Sequence, residues 1–249
     1  MQITSRQSLS NQRGISLYIV AVLVMLSMLL ALWASRTALF SEMIVGNDAD
    51  YQRALEAAQA LLQDAELDIK GEQANGNACQ PVGGSTDVCR PAEASGANTV
   101  WIPTEDKEIS GIFTALESAS TKCIKGLCLK RTGTQDFWND KVTLAAMRAH
   151  NVGARYGQFT GAETGSHSNP ILKLNKETTA SDEGGWYWIE IMPYDPDAGN
   201  SGLISNGSQN LSLNLRPNVA YRITALARGL KPSTQVILQS TFVLQKRKN

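Results

Sequence analysis

Two histidines and four cysteines among 249 residues leave little material for a histidine-rich metal enzyme. Lys plus Arg number 23 and Asp plus Glu number 23, so the formal net charge is zero. A protein that wraps nucleic acid needs a basic field, and this chain has none, so nucleic acid is not an expected partner. G-x-S-x-G, H-E-x-x-H and a Walker glycine loop are all absent. A triad can be assembled from distant residues; His150 and His167 are nevertheless expected on solvated surface. No catalytic residue, metal or cofactor is assigned, and a non-enzymatic role is expected. The length corresponds to one or two domains.

What the chain does contain is a single long apolar run. Ile15 to Ala34 is uninterrupted except by Ser16 and Ser27, and a helix of about 20 residues covers about 30 Å, the thickness of a bilayer's hydrocarbon. Small residues at Ala31, Ala34 and Ser35 could imitate a signal-peptidase site, but the apolar core of such signals is about 7–15 residues long. Arg6 and Arg13 precede the run and only Arg36 follows closely, which favours a cytoplasmic N-terminus and a periplasmic or extracellular remainder.

The helical pattern continues past the far membrane surface. After a weak patch at Gly46-Asn47-Asp48, the apolar positions Tyr51, Leu55, Ala58, Leu62, Ala65 and Ile69 recur in steps of four and three, one stripe of an amphipathic helix. Asn47 or Asp48 would cap a restarted helix. A continuous helix to Lys70 would measure about 84 Å, more than a bilayer requires. The expected divisions are a leader at 1–14, a membrane-spanning half at 15–34, an amphipathic half at 35–70 and a globular part at 71–249.

A polar leader closing in Arg13-Gly14, followed at once by Ile15-Ser16-Leu17, resembles the class III signal of type IV pilins and pseudopilins. Arg36-Thr37-Ala38-Leu39, Glu42-Met43, Gly46-Asn47, Ala54-Leu55-Glu56-Ala57-Ala58 and Asp64-Ala65-Glu66 resemble the N-terminal region of the minor pilin PilX family. Toward the other end, Ala154-Arg155-Tyr156-Gly157 with Thr160-Gly161-Ala162, Tyr221-Arg222-Ile223-Thr224-Ala225, and Thr234-Gln235-Val236 with Leu238-Gln239-Ser240-Thr241 resemble the rest of that family. The likeness covers both ends, with a variable middle.

This resemblance implies cleavage by a prepilin peptidase between Gly14 and Ile15 and methylation of the new Ile15 amine. It implies a structural subunit that helps to initiate the type IV pilus from the inner membrane and lies at or near the tip. The implied partners are minor pilins of the PilV, PilW, PilE and FimU types and a PilY-type tip adhesin. One departure from the pilin pattern is Ile19, which stands where most major pilins carry a glutamate. That carboxylate is thought to pair with a neighbouring subunit's amine, and a subunit with no neighbour beyond it has none to neutralise, so Ile19 points to a tip-proximal place. The alternative is that Ile19 merely faces lipid.

Cys79, Cys89, Cys123 and Cys128 all follow the apolar run, in a compartment that favours disulfides. Three pairings are possible; the local ones, Cys79 with Cys89 and Cys123 with Cys128, would close surface loops. The spacings lack the paired C-x2-C rhythm of structural zinc. Trp186 to Met192, Tyr221 to Ala227 and Thr234 to Leu244 read as strands, the last two as a hairpin. Ile109 to Ala119 and Lys141 to His150 fit either short helices or strands. The expected fold class is α+β, with the Leu55/Leu62/Ile69 stripe packed on an antiparallel sheet. Asp195, Asp197, Asn200 and Ser201 could form a calcium loop, though without the closing glutamate an Asx turn is expected. Asn206 and Asn210 begin sequons.

Between Ser35 and Asn75 the acids outnumber the bases by eight to three. A solvated helix face accounts for such an excess; a docking surface centred on Glu56 and Asp64 for basic groups on neighbouring pilins is the functional alternative. Two rival functions are a bitopic periplasmic enzyme or binding protein with an uncleaved anchor, and a type II secretion pseudopilin.

Overall fold

The computed structural model describes residues 13–79, 89–91, 99–166, 168–173, 183–194, 215 and 217–244. The chain divides into two compact units, the first ending at Ala49 and the second beginning at Asp50. Helix α1 runs from Arg13–Lys70 without a restart at Asn47 or Asp48. Its last twenty-one residues belong to the second unit, so the unit boundary falls inside the stretch 35–70.

In the second unit, α2 (Ile109–Glu117) and α3 (Lys141–Met147) are short helices. Asp140 explains the start of α3: its carboxylate accepts the Thr143 N–H at 2.9 Å and also the Thr143 hydroxyl, which satisfies an amide that the first turn leaves unpaired. A four-residue helix α4 (Pro170–Lys173) follows. The strands β1 (Cys123–Ile124), β2 (Leu127–Leu129), β3 (Gly185–Pro193), β4 (Val219–Arg228) and β5 (Gln235–Phe242) form one sheet in sequential order. All neighbours are antiparallel except β2 and β3, which run parallel through Leu127↔Ile189 and Leu129↔Ile191. The α+β class is as expected, with this one parallel pair added. Strand β3 includes Pro193, which pairs with Val219 at the strand's end, the place where a missing N–H is tolerated.

Strand β3 is buried along almost its whole length because both faces of the sheet are covered. Tyr187, Ile189 and Ile191 join Tyr221, Ile223 and Ala225 in the core that contains the second half of α1. Trp186 and Trp188 point to the opposite face and form a smaller core with Phe137, Leu144, Met147 and Leu226. Trp188 donates its indole N–H to the Met147 carbonyl at 3.0 Å, and its ring meets Phe137 edge to face with centroids 5.0 Å apart. Period-two alternation thus divides a nearly continuous apolar strand between two cores.

The helix face that enters the larger core differs from the expected stripe. Ala54, Ala57, Ala58, Leu61, Ala65 and Ile69 are buried, whereas Leu55 and Leu62 are only partly buried and Tyr51 is exposed. Small residues let the helix lie close to the sheet, while the larger leucines at Leu55 and Leu62 flank the contact. Gly185 marks the closest approach: a Cβ there would collide with the Leu61 side chain. Leu61→Ala is therefore expected to destabilise the second unit by about 2–5 kcal/mol, and Leu55→Ala by clearly less. Denaturant unfolding of the two variants checks this, and an equal loss would restore the expected stripe.

Candidate functional site

Three aspartates lie on the buried face of α1. Asp50, Asp64 and Asp68 are 2%, 2% and 4% exposed, and Asp50 and Asp68 are eighteen residues apart, five turns at 3.6 residues per turn. Buried carboxylates need donors, and each of these finds them in a different segment of the globular unit.

Asp50 holds the turn between β4 and β5. It accepts the N–H groups of Leu230 at 2.9 Å and Lys231 at 3.1 Å. Burial pushes its carboxyl up, but the Thr234 side chain, those two N–H groups and the Lys231 charge outweigh it, and the net shift is downward. Gly229 is required beside it because a Cβ would strike both the Asp50 carboxylate and Thr234.

Asp64 holds the loop at 157–160. It accepts the Gly157 N–H at 2.7 Å and the Thr160 hydroxyl. Gly157 has φ +73° and its missing side chain leaves room for the Ala162 carbonyl, a conformation that favours glycine. Burial, with the Asp68 charge adding to it, raises the Asp64 carboxyl to about 6 despite the bonds from Thr160 and Gly157. Asp68 receives Arg90 in a bidentate pair, both contacts 2.7 Å, and the Tyr187 hydroxyl at 3.0 Å. Burial and the neighbouring Asp68 and Asp64 charges keep the Tyr187 phenol protonated well above its ordinary range.

This arrangement corrects the reading of the acidic shaft. Glu56 is exposed, but Asp64 is turned inward and its oxygens are committed to Gly157 and Thr160, so it cannot serve a partner subunit in this fold. Asp50, Asp68, Arg90 and Tyr187 were not singled out from sequence. The available signal was angular: on a helical projection the aspartates fall on the same arc as Ala54, Ala57 and Leu61.

The first unit has the opposite character. Ile15 is 65% exposed, Ile19 51% and Trp33 70%. Among the described residues, α1 is the one helix long and apolar enough to cross a membrane, with mean hydropathy 2.7 in its best window and none of that window buried. This fits a single-pass anchor. The backbone at Gly14 is already helical, because α1 begins at Arg13.

Both cysteine pairings are the local ones, Cys79–Cys89 and Cys123–Cys128. They do not close loops at the surface alone: Cys89, Cys123 and Cys128 are buried, and the second pair lies in the smaller core. His150 is exposed. His167, the stretch 195–201 with its candidate calcium ligands, and both sequon residues Asn206 and Asn210 lie outside the described residues. Among the described residues no group of three or more His, Cys, Asp or Glu could hold a metal ion. A concavity of about 620 Å³ lies between the end of α2, the β1–β2 hairpin and α3, and presents Lys122, Lys130 and Arg131 beside Val142 and Ala146.

Several of the strings that carried the family resemblance lie in contact within the second unit. Asp64 grips the 154–162 string, and Tyr221–Ala225 pairs residue for residue with Leu238–Phe242 across β4 and β5. Arg222 in that string also donates to Glu190 on β3. Residues 124–244 match a family model described as type IV pilus assembly protein PilX, C-terminal. No curated protein and no solved structure matches the chain at a significant level.

The two clamps at Asp50 and Asp64 titrate in opposite senses. The folded Asp64 carboxyl lies above its unfolded value of 3.8, so its contribution is fully favourable below about pH 4 and is lost as pH rises through about 6. Asp50 is depressed, so its contribution is present above the ordinary carboxylate range and lost on acidification. Asp64→Asn is expected to remove a decline of roughly 2–3 kcal/mol between pH 4 and pH 7, measured as unfolding free energy against pH. An unchanged slope in that variant would contradict the assignment. Asp50→Ala should cost about 1–3 kcal/mol at pH 7 by leaving two amides without an acceptor.

Proposed function

We propose that this PilX-like type IV pilus assembly protein, a minor pilin, is cut after Gly14, carries a methylated Ile15 amine, and moves from the inner membrane into a tip-proximal complex that starts the filament. The observation that carries the reading is the composition of α1: one helix is apolar and bare at its beginning and is held through buried aspartates to a globular unit farther along.

An apolar helix is soluble in lipid and equally able to bury among similar helices, so transfer from bilayer to filament exchanges one apolar environment for another at small net cost. A retained anchor needs only the bilayer's thickness of apolar sequence; joining that sequence without a break to a clamped helix makes the whole rod a handle for the globular unit. The backbone at Gly14 is helical, so cleavage there requires local opening of the helix, and glycine sets no side chain in the peptidase's way.

Ile19 supports a place near the tip. A carboxylate there would have an amine to neutralise only if another subunit lay beyond it, and an unpaired charge in an apolar filament core is strongly unfavourable. Isoleucine needs no such neighbour. Glu56, exposed on α1, is left as the acidic docking residue for other minor pilins of the PilV, PilW, PilE and FimU types, with a PilY-type adhesin as the tip partner.

The N-terminal peptide of protein purified from cells with a working prepilin peptidase is expected to begin at Ile15 and to carry one added methyl group by mass. A peptide beginning at Met1 would make α1 an ordinary anchor and remove the filament role. Deletion is expected to abolish twitching motility with exoprotein secretion unchanged; the reverse pattern would assign the chain to a type II secretion system.

A further inference from the structure

Cys89 is followed directly by Arg90, so the Cys79–Cys89 disulfide ends one residue from the cation that neutralises Asp68. Arg90 reaches away from its own segment for every partner. It donates to both Asp68 oxygens at 2.7 Å and to the Lys125 carbonyl at 2.9 Å, and its guanidinium lies 3.7 Å from the Phe159 ring centroid. The Arg90 and Asp68 side chains are 5% and 2% exposed. The other end of the disulfide is anchored at the end of α1, where the Cys79 N–H donates to the Gly71 carbonyl at 2.7 Å.

We propose that the Cys79–Cys89 disulfide is a positioning device for Arg90: it delivers the counter-ion of buried Asp68, so that packing of the globular unit around the second half of α1 depends on this disulfide. A disulfide across so short a separation also restricts the unfolded chain, but that effect is indifferent to Asp68 and to pH. Positioning is not. The groups facing Asp68 are Arg90, the uncharged Tyr187 hydroxyl and, as a like charge, Asp64. With Arg90 withdrawn, Asp68 would be a buried carboxylate beside a second one, a strongly destabilising arrangement. The penalty belongs to the charged carboxylate alone, so acidification is expected to lessen it. Cys123–Cys128 spans the β1–β2 hairpin and brings no cation to Asp68; its turn gives Arg90 only the Lys125 carbonyl, which makes it the comparison.

The test is chemical unfolding of the full chain in detergent micelles at pH 7 and pH 5. Six proteins are compared: wild type, Cys79→Ser/Cys89→Ser and Cys123→Ser/Cys128→Ser, each with and without Asp68→Asn. At pH 7, loss of the disulfide is expected to raise the unfolding constant at least tenfold more where Asp68 is present than where it is Asn, and this excess should shrink at pH 5. Cys123→Ser/Cys128→Ser should depend on Asp68 clearly less than Cys79→Ser/Cys89→Ser does, and an equal dependence would overturn the proposal. Equal factors in both Asp68 backgrounds would overturn the proposal. Should the Cys79→Ser/Cys89→Ser chain not fold at pH 7, either Asp68→Asn or pH 5 must restore folding, and failure of both overturns it.

Discussion

A carboxylate removed from water must be met by donors or by a cation, and nearly everything in the globular unit can be traced to that requirement on one face of α1. Asp50, Asp64 and Asp68 are buried at points spread over five turns. Their partners come from the β4–β5 turn, the 157–160 loop, β3 and the Arg90 segment. The helix therefore does more than cover a sheet with alanines. It fixes the places where the chain's longest excursions return to it, through contacts separated by as many as 181 residues.

Such fixing is directional in a way that apolar packing is not. Alanine and leucine contacts tolerate small slides of helix against sheet, whereas a bidentate guanidinium or a pair of amide donors loses its bonds over a fraction of an ångström. The later turns of α1 are thereby held in register with the strands and loops that meet them.

The sheet itself follows more ordinary rules. Two tryptophans on one face and a tyrosine with isoleucines on the other split β3 between two cores, and the parallel β2–β3 pair arises because the short β1–β2 hairpin enters beside β3 from the same end. The hairpin of β4 and β5 joins the two C-terminal strings of the family resemblance, and Asp64 joins a third to the helix. The likeness from Ala54 onward lies in one packed unit.

Much of this was legible in advance because it depends on local periodicity and composition: the apolar run from Ile15, the helix beyond it, the three long strands and the α+β class. Lys141 to His150 fitted either a helix or a strand, and the structure decides for α3 through the Asp140 cap on Thr143. What the sequence could not assign was the inner face of α1. Leu55 and Leu62 compete with Ala54 and Leu61 for the core on hydrophobicity alone, and aspartates read as solvent-facing unless donors are known to lie opposite. Those donors belong to Gly157, Thr160, Leu230, Lys231 and Arg90, brought there only by the return of distant loops. Periodicity along the chain determined that a helix would form and that it would have a buried side; the cost of burying charge, offset by partners far away in sequence, decided which side that was.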